Sequence, residues 1–142
     1  MIILAIDPAK PLASRGFAMI STSPAPQFVA ASTRPDWVVV EGQWVNAVAS
    51  KQSLMTLSFY AGFLLGVHGG VHGARAAVVP VAVWKHALIP GFATAPKEVY
   101  SRNIAQLLRR HGHPVPRSGH DLDAAGIALA CCKIDLTKYE VK

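Results

Sequence analysis

Three acidic residues lie where a carboxylate is a poor choice for packing. Asp7 ends the apolar run 1–6, Glu41 ends the apolar run 37–40, and Asp123 lies early in an apolar helical segment. If the two runs are parallel neighbouring strands, Asp7 and Glu41 lie side by side at one edge of a sheet. Two carboxylates held that close repel each other unless a cation joins them. Because carboxylates and water are the ligands that Mg²⁺ and Mn²⁺ prefer, the pattern predicts a divalent-metal site.

The segment around Asp123 adds an imidazole to this group. His120 and Asp123 are three residues apart, so they share one face of a helix. Asp121, two residues from Asp123, points elsewhere. The small residues that follow, among them Ala124 and Ala128, allow the helix to approach the sheet closely. We therefore expect His120 and Asp123 to reach the strand ends that carry the other two acids.

Each acid also has a purely structural interpretation. Asp7 before Pro8 is also typical of a turn, and Glu41 before Gly42 of an exposed strand end. Asp123, or its neighbour Asp121, would also complement a helix dipole. The combination favours a metal site, because all three acids have a local context that suits one.

Hydrophobic patterning predicts the elements that position these residues. We predict strands over residues 1–6, 16–22, 27–32, 37–41 and 76–81, and helices over 46–67, 80–88, 96–112 and 120–133, with a loop at 68–73. Short turns join the first three strands into an antiparallel meander. The expected fold is α/β, a five-stranded mixed sheet of three antiparallel strands and then two parallel ones, flanked by helices, in one domain over residues 1–142.

The predicted helix over residues 46–67 is apolar on nearly every side. Such a helix must be covered on two faces. The sheet can cover one face, and we expect a second copy of the chain to cover the other. The residues predicted to form this homodimer interface are Leu54, Leu57, Ala61 and Leu64.

The composition favours a folded protein with a polyanionic partner. Hydrophobic residues make up 51% of the 142 residues and charged residues 15%, and the net charge is +6. Such an excess favours nucleic acid, although a plain solvated surface is the alternative. No apolar run reaches the ~18 residues that span a bilayer, so no membrane partner is expected. The adjacent Cys131 and Cys132 favour a reducing compartment, which predicts a cytoplasmic protein.

Several segments resemble the RuvC family of Holliday junction resolvases. They are Ile3-Leu4-Ala5-Ile6-Asp7-Pro8 with Ser14-Arg15-Gly16-Phe17, then Val38-Val39-Val40-Glu41-Gly42-Gln43-Trp44 with Asn46-Ala47, Tyr60-Ala61-Gly62, Val83-Trp84-Lys85, Gly91, Ala95-Pro96-Lys97, and the closing His120-x-x-Asp123-Ala124. The resemblance covers most of the chain. It implies a ribonuclease-H-like fold and a homodimer that cuts four-way DNA junctions, and it names no helicase partner.

The same resemblance assigns roles to individual residues. It implies that Asp7, Glu41, His120 and Asp123 bind two Mg²⁺ or Mn²⁺ ions per active site and that Lys97 joins them in catalysis. Cleavage would leave 5′-phosphate and 3′-hydroxyl ends. Lys97 and Lys85 would contact the scissile phosphate region. Trp44 would stack on junction bases, with a half-buried core tryptophan as the alternative.

Basic residues late in the chain are further candidates for DNA contacts. Arg102 and Arg117, with Arg109 and Arg110, would form a phosphate-binding face, and a plain solvated helix face is the alternative.

Two departures from the family pattern bear on these expectations. Ala9 stands where the family has a glycine after Asp-Pro, so this turn must avoid a positive φ. Only residues 33–36 separate the third and fourth predicted strands, whereas a parallel crossover normally takes a dozen residues or more. Either the link crosses in an extended form or the third strand is shorter than predicted. The short link resembles compact, phage-encoded members more than full-length bacterial ones.

Two other functions remain open on the sequence. The first is a nuclease of the same fold that acts on structured RNA. The second is a non-catalytic module that binds DNA junctions.

Overall fold

A five-stranded mixed sheet forms the centre of the computed structural model, which describes residues 1–9, 12–30, 32–42, 51–91 and 94–142. Its strands are β1 (Ile2–Asp7), β2 (Gly16–Ser21), β3 (Gln27–Phe28), β4 (Trp37–Gly42) and β5 (Arg75–Pro80). They lie in the order β3-β2-β1-β4-β5. β1, β2 and β3 pair antiparallel, and β4 and β5 follow β1 in parallel. The predicted strand arrangement is confirmed.

Four α-helices flank the sheet. They are α1 (Lys51–His72), α2 (Val81–Leu88), α3 (Lys97–Arg110) and α4 (Gly119–Cys131), and 3₁₀ helices cover Leu12–Ser14 and Leu136–Tyr139. Within the ranges just given, no helix is long and apolar enough to cross a membrane. The predicted start of the first helix at residue 46 lies outside the described residues.

The end of α1 corrects one prediction. Residues 68–72 were expected in a loop, but α1 continues through them to His72. The glycines at 69 and 70 are accommodated in the helix, and the terminator is Gly73, which adopts φ 60°. Ala74 N–H then donates to the carbonyl of Gly69. A glycine in the left-handed region is a common way to end a helix.

The shortness of β3 explains how so few residues can connect it to β4. β3 has only two residues, and Phe28 pairs with Ile20 near the end of β2. β3 therefore ends close to the start of β4, and the link does not have to return along a long strand. The link is anchored at its far end, where Asp36 N–H donates to the carbonyl of Ile2 and the Ile2 N–H donates to the Asp36 carboxylate. The third strand is thus shorter than predicted.

The two faces of the sheet bury separate apolar clusters. Successive side chains of a strand point to opposite faces. In β1, Leu4 and Ile6 face α1, whereas Ile3 and Ala5 face the layer formed by α2, α3 and α4. Asp7 continues the series of Ile3 and Ala5 and therefore faces the same helical layer.

The packing of α1 corrects part of the dimer prediction. Ala61 and Leu64 are 7% and 2% exposed and pack against the sheet, so they are not available to a partner. Leu57 is half-buried, and the side chain of Leu54 lies outside the described residues. The opposite side of α1 exposes an apolar stripe of residues spaced four apart, Met55, Phe59, Phe63, Val67 and Val71. A sequence pattern that is apolar all round does not distinguish these two faces.

The end of the chain covers the outer edge of β5. Glu140 forms a bridge with Ala77, and Val141 N–H donates to the carbonyl of Ala76. The Arg75 guanidinium holds both carboxylate oxygens of Glu140, at 2.8 Å and 2.6 Å. We call residues 140–141 the terminal strap.

Candidate active site

Asp7 is the last residue of β1 and Glu41 the second to last of β4, and these two parallel strands lie side by side. Ile6 pairs with Val40 in the sheet, so the residues that follow them are neighbours at the same edge. Both acids continue the alternation that faces α4. Asp7 is 5% exposed, an unusual environment for a carboxylate. The fold therefore places the two acids on the same face of the sheet, toward the helical layer, where Asp7 contacts His120 and Glu41 contacts Trp84.

A close contact between β2 and α4 fixes the start of α4. A Cβ atom on Gly16 would lie 1.9 Å from the carbonyl oxygen of His120, so only glycine allows this approach. Asp121 Oδ1 accepts a hydrogen bond from the backbone N–H of Phe17 at 3.1 Å. Ser118 caps the helix, its hydroxyl oxygen accepting from the Asp121 N–H. Asp121 points away from the acids, as predicted, and it positions the first turn of α4.

The first turn of α4 carries His120 to Asp7. His120 Nδ1 lies 2.6 Å from Asp7 Oδ2, and the imidazole is partly exposed. Burial raises the pKa of Asp7 to about 6 and outweighs the hydrogen bond from His120, which lowers it. The carboxylate of Asp123 raises the Asp7 pKa further. Asp7 is thus an acid whose ionised form lacks sufficient compensating charge.

Asp123 is a half-buried acid of the same group. Burial raises its pKa, while Lys97, Lys85 and His120 oppose that rise in decreasing order. The raised pKa values of Asp7 and Asp123 have the same physical origin, since both carboxylates are withdrawn from water. A cation bound between them would stabilise the ionised forms of both.

A pocket of about 220 Å³ opens beside these acids. It is lined by Glu41, Val81, Trp84, Lys85, Lys97, Tyr100, Ser101 and Asp123. Trp84, 1% exposed, donates its indole N–H to Glu41 Oε2 at 2.9 Å. Two carboxylates and two ammonium groups line one space, so the pocket suits an occupant that carries both a cation and anionic oxygens.

The donor set fits divalent-cation chemistry. Its oxygens are the carboxylates of Asp7 and Glu41 near two strand ends and of Asp123 on α4, and burial raises the pKa values of Asp7 and Asp123. Among the residues that the structure describes, no three His, Cys, Asp or Glu side chains lie close enough to form a ligand cluster. Asp7 is engaged with His120 and Glu41 with Trp84. The fit thus rests on the chemistry and burial of the acids.

The predicted DNA-contacting residues fall into three groups. Lys85 and Lys97 line the pocket. Arg102 and Arg117 are exposed. Trp44 lies outside the described residues.

Four of the pocket residues, Val81, Trp84, Tyr100 and Ser101, were not among the predicted site residues. Trp84 was noted only as part of the segment that bears Lys85, and Tyr100 only as part of an apolar stripe. The spacing of three residues between Lys97 and Tyr100 indicates that they share one face of a helix, and this could have identified Tyr100.

Comparison with known proteins shows similarity at the level of structure. No family model and no curated protein matches the sequence. A structure of RuvC from T. thermophilus in complex with a Holliday junction substrate matches with a TM-score of 0.70 and 20% identity, covering 99% of each chain. Another Thermus thermophilus RuvC structure matches with a TM-score of 0.66 and 19% identity, covering 99% of this chain and 98% of that one. The protein therefore has the ribonuclease-H-like fold of these RuvC structures.

Proposed function

We propose that this protein is a Holliday junction resolvase. In this proposal it is a divalent-metal-dependent endonuclease that cuts four-way DNA junctions and leaves 5′-phosphate and 3′-hydroxyl ends. The observation that carries the proposal is the buried Asp7 at a strand end, 2.6 Å from His120 and close to Asp123. The shared fold supports it, since one of the matching proteins was bound to a Holliday junction substrate.

The acids and the imidazole have distinct roles in this proposal. Asp7, Glu41 and Asp123 would hold two Mg²⁺ or Mn²⁺ ions. Bound ions of this kind activate the attacking water and stabilise the leaving oxygen of an in-line displacement. His120 is either a fourth ligand or the group that moves a proton, and its contact with Asp7 keeps the ring at the site.

The two lysines of the pocket serve the substrate. Lys85 and Lys97 line the same space as Glu41 and Asp123. Their positive charges attract the scissile phosphate toward the acids and oppose its repulsion by them. Lys97 is the more exposed of the two, so we assign it the direct phosphate contact.

Contacts outside the pocket hold the rest of the junction. We assign Arg102 and Arg117 to backbone phosphates and Trp44 to base stacking. The net charge of +6 supports an electrostatic contribution to binding. Binding that neutralises phosphates releases counterions, so junction affinity should fall steeply as salt concentration rises.

A homodimer places two sites on the two strands to be cut. The exposed stripe on α1 offers an apolar surface that a second copy of the chain can cover. An isologous interface puts two identical sites in a symmetrical arrangement that matches a four-way junction. The proposed interface is centred on Phe59 and Phe63.

A comparison of substrates tests the proposed function. Purified protein is offered a four-way junction, a linear duplex of the same sequence and a structured RNA, each with Mg²⁺ or Mn²⁺ or with EDTA. We expect metal-dependent, symmetrical cuts in the junction only. Cleavage of the RNA with an intact junction would assign the protein to the other nuclease class. Junction binding without metal-dependent cleavage would make it a binding module.

A further inference from the structure

The Tyr100 hydroxyl is a buried polar group that has no hydrogen-bond partner among the described residues. Tyr100 is 2% exposed, and its side chain lines the pocket that contains Glu41 and Asp123. Its hydroxyl oxygen forms no hydrogen bond with any donor or acceptor in the described part of the chain. Buried hydroxyl groups in folded proteins nearly always have a partner. The missing partner is therefore expected among the molecules that enter the pocket.

Neighbouring side chains hold the Tyr100 ring in place. The Trp84 ring meets it edge-on, with centroids 5.5 Å apart and planes at 75°, and Lys85 Nζ lies 4.8 Å from its centroid. Burial and the carboxylates of Asp123 and Glu41 raise the pKa of Tyr100. The raised pKa favours the protonated hydroxyl, which can donate a hydrogen bond, and both acids act on it electrostatically.

The surroundings of the hydroxyl favour an anionic acceptor. Tyr100 follows Lys97 by three residues on α3, and Ser101 follows by four, so all three share one face of the helix and line the pocket. That face belongs to the first two turns of α3, where the helix dipole also favours negative charge. Lys85 adds a second cation from α2. A phosphate oxygen can accept hydrogen bonds from all of these side chains.

We propose that the Tyr100 hydroxyl contacts the substrate by donating a hydrogen bond to a non-bridging phosphate oxygen of the nucleic-acid strand in the pocket. This inference rests on the proposed function in taking a phosphodiester as the occupant. Tyr100 transfers no proton in this role. It orients the phosphate between the lysines and the acids, and the rigid ring keeps the donor in place before the substrate arrives.

Tyr100→Phe removes the hydroxyl oxygen and leaves the ring. Tyr139→Phe is the matched control, because Tyr139 packs against the core from the 3₁₀ helix at 136–139 and does not line the pocket. Junction affinity is measured with Ca²⁺ in place of Mg²⁺, and cleavage with Mg²⁺. We expect Tyr100→Phe to weaken affinity or turnover about tenfold, the effect of one hydrogen bond to a charged group. We expect its melting temperature to equal or exceed that of the wild type, because the lost hydroxyl forms no hydrogen bond with the residues that the structure describes.

Two outcomes of this comparison would overturn the inference. One is wild-type affinity and turnover in Tyr100→Phe, which would leave the proposed resolvase function intact. The other is a melting temperature several degrees below those of the wild type and Tyr139→Phe, which would show a structural role for the hydroxyl.

A second measurement keeps the inference testable if the wild type cuts no junction. Inorganic phosphate is titrated into the wild type and Tyr100→Phe while the melting temperature is recorded. Phosphate should stabilise the wild type more than the variant. Equal stabilisation, or none in either protein, would overturn the inference whatever the fate of the resolvase proposal.

Discussion

The Nδ1 atom of His120 lies 2.6 Å from the Oδ2 atom of Asp7, although the two residues are 113 positions apart. One belongs to the first turn of α4 and the other to the last position of β1. The site is therefore complete only when α4 is docked on β1 and β2. The contact of Gly16 with the His120 backbone, and the hydrogen bond from Phe17 to Asp121, maintain that docking.

Replacing Asp7 with Asn should abolish cleavage and spare junction binding. The amide has nearly the same shape but lacks the negative charge that a divalent cation requires. We expect the cleavage rate to fall by at least on the order of a hundredfold. Even the loss of a residue that only hydrogen-bonds to a metal ligand lowers metal affinity or activity by about 10–100-fold. Rates on a labelled junction and gel-shift affinities measure the two effects. Asp135→Asn is the control, because Asp135 is exposed and only caps the 3₁₀ helix at Thr137. Substantial residual activity in Asp7→Asn would remove Asp7 from the proposed ligand set.

The metal-free protein should lose stability as the pH rises through about 6. The pKa of Asp7 is raised from 3.8 to about 6 in the folded state, so folding favours its protonated form. Its contribution is fully present below pH 3.8 and is lost as the pH rises through the folded value. A change of two pKa units corresponds to about 3 kcal/mol of unfolding free energy. The pKa of Asp123 is also raised, so its contribution to stability is lost in the same direction, as the pH rises.

Denaturant titrations in EDTA across this pH range test the effect. Asp7→Asn should have a shallower pH dependence than the wild type and should be more stable above pH 6. Parallel curves for the two proteins would show that Asp7 does not carry the effect.

Replacing Gly16 with Ala should damage both stability and cleavage. The new methyl group would lie 1.9 Å from the carbonyl oxygen of His120, which is backbone and can move only with α4. We expect a loss of roughly 1–3 kcal/mol in unfolding free energy, as for other overpacked sites, and a lower cleavage rate because His120 moves away from Asp7. Gly70→Ala, in α1 with nothing within 4 Å of the new atom, should instead gain up to about 1 kcal/mol. Wild-type behaviour of Gly16→Ala would mean that the close approach is not needed.

Replacing Phe59 with Glu should yield a monomer. Phe59 is 69% exposed within the protomer, so the change costs little folding stability, but it puts a charge into the proposed interface. Sedimentation at micromolar concentration measures the association, and we expect single nicks in place of paired cuts on the junction. Val141→Glu, at a 51% exposed site in the terminal strap, is the control and should remain dimeric. A wild-type protein that sediments as a monomer would refute the dimer.

The sequence was sufficient to predict a mixed sheet of three antiparallel and two parallel strands, and the acids near the strand ends. A run of apolar residues that stops at Asp7 or Glu41 indicates both a buried strand and the point where it ends, because charged residues are rarely buried. The three-residue spacing of His120 and Asp123 reports a shared helix face in the same way. These signals are local, so they can be read along the chain.

What the sequence did not predict depends on tertiary packing. The apolar pattern of α1 gives no preference between Leu64, which is buried, and Phe63, which is exposed. The end of α1 depends on which of several nearby glycines adopts a positive φ, and only Gly73 does among them. Trp84 forms a hydrogen bond with Glu41, which is 43 residues away in sequence, and no rule based on local spacing predicts such a contact.

The terminal strap bears on how the protein avoids aggregation. β5 is the last strand of the sheet, and an uncovered edge strand offers unpaired backbone groups to the strands of other molecules. The bridge at Glu140 and the hydrogen bond from Val141 occupy part of that edge with the chain's own backbone. The last residues thus act as a built-in guard against intermolecular strand addition, and a truncation after Tyr139 would remove it.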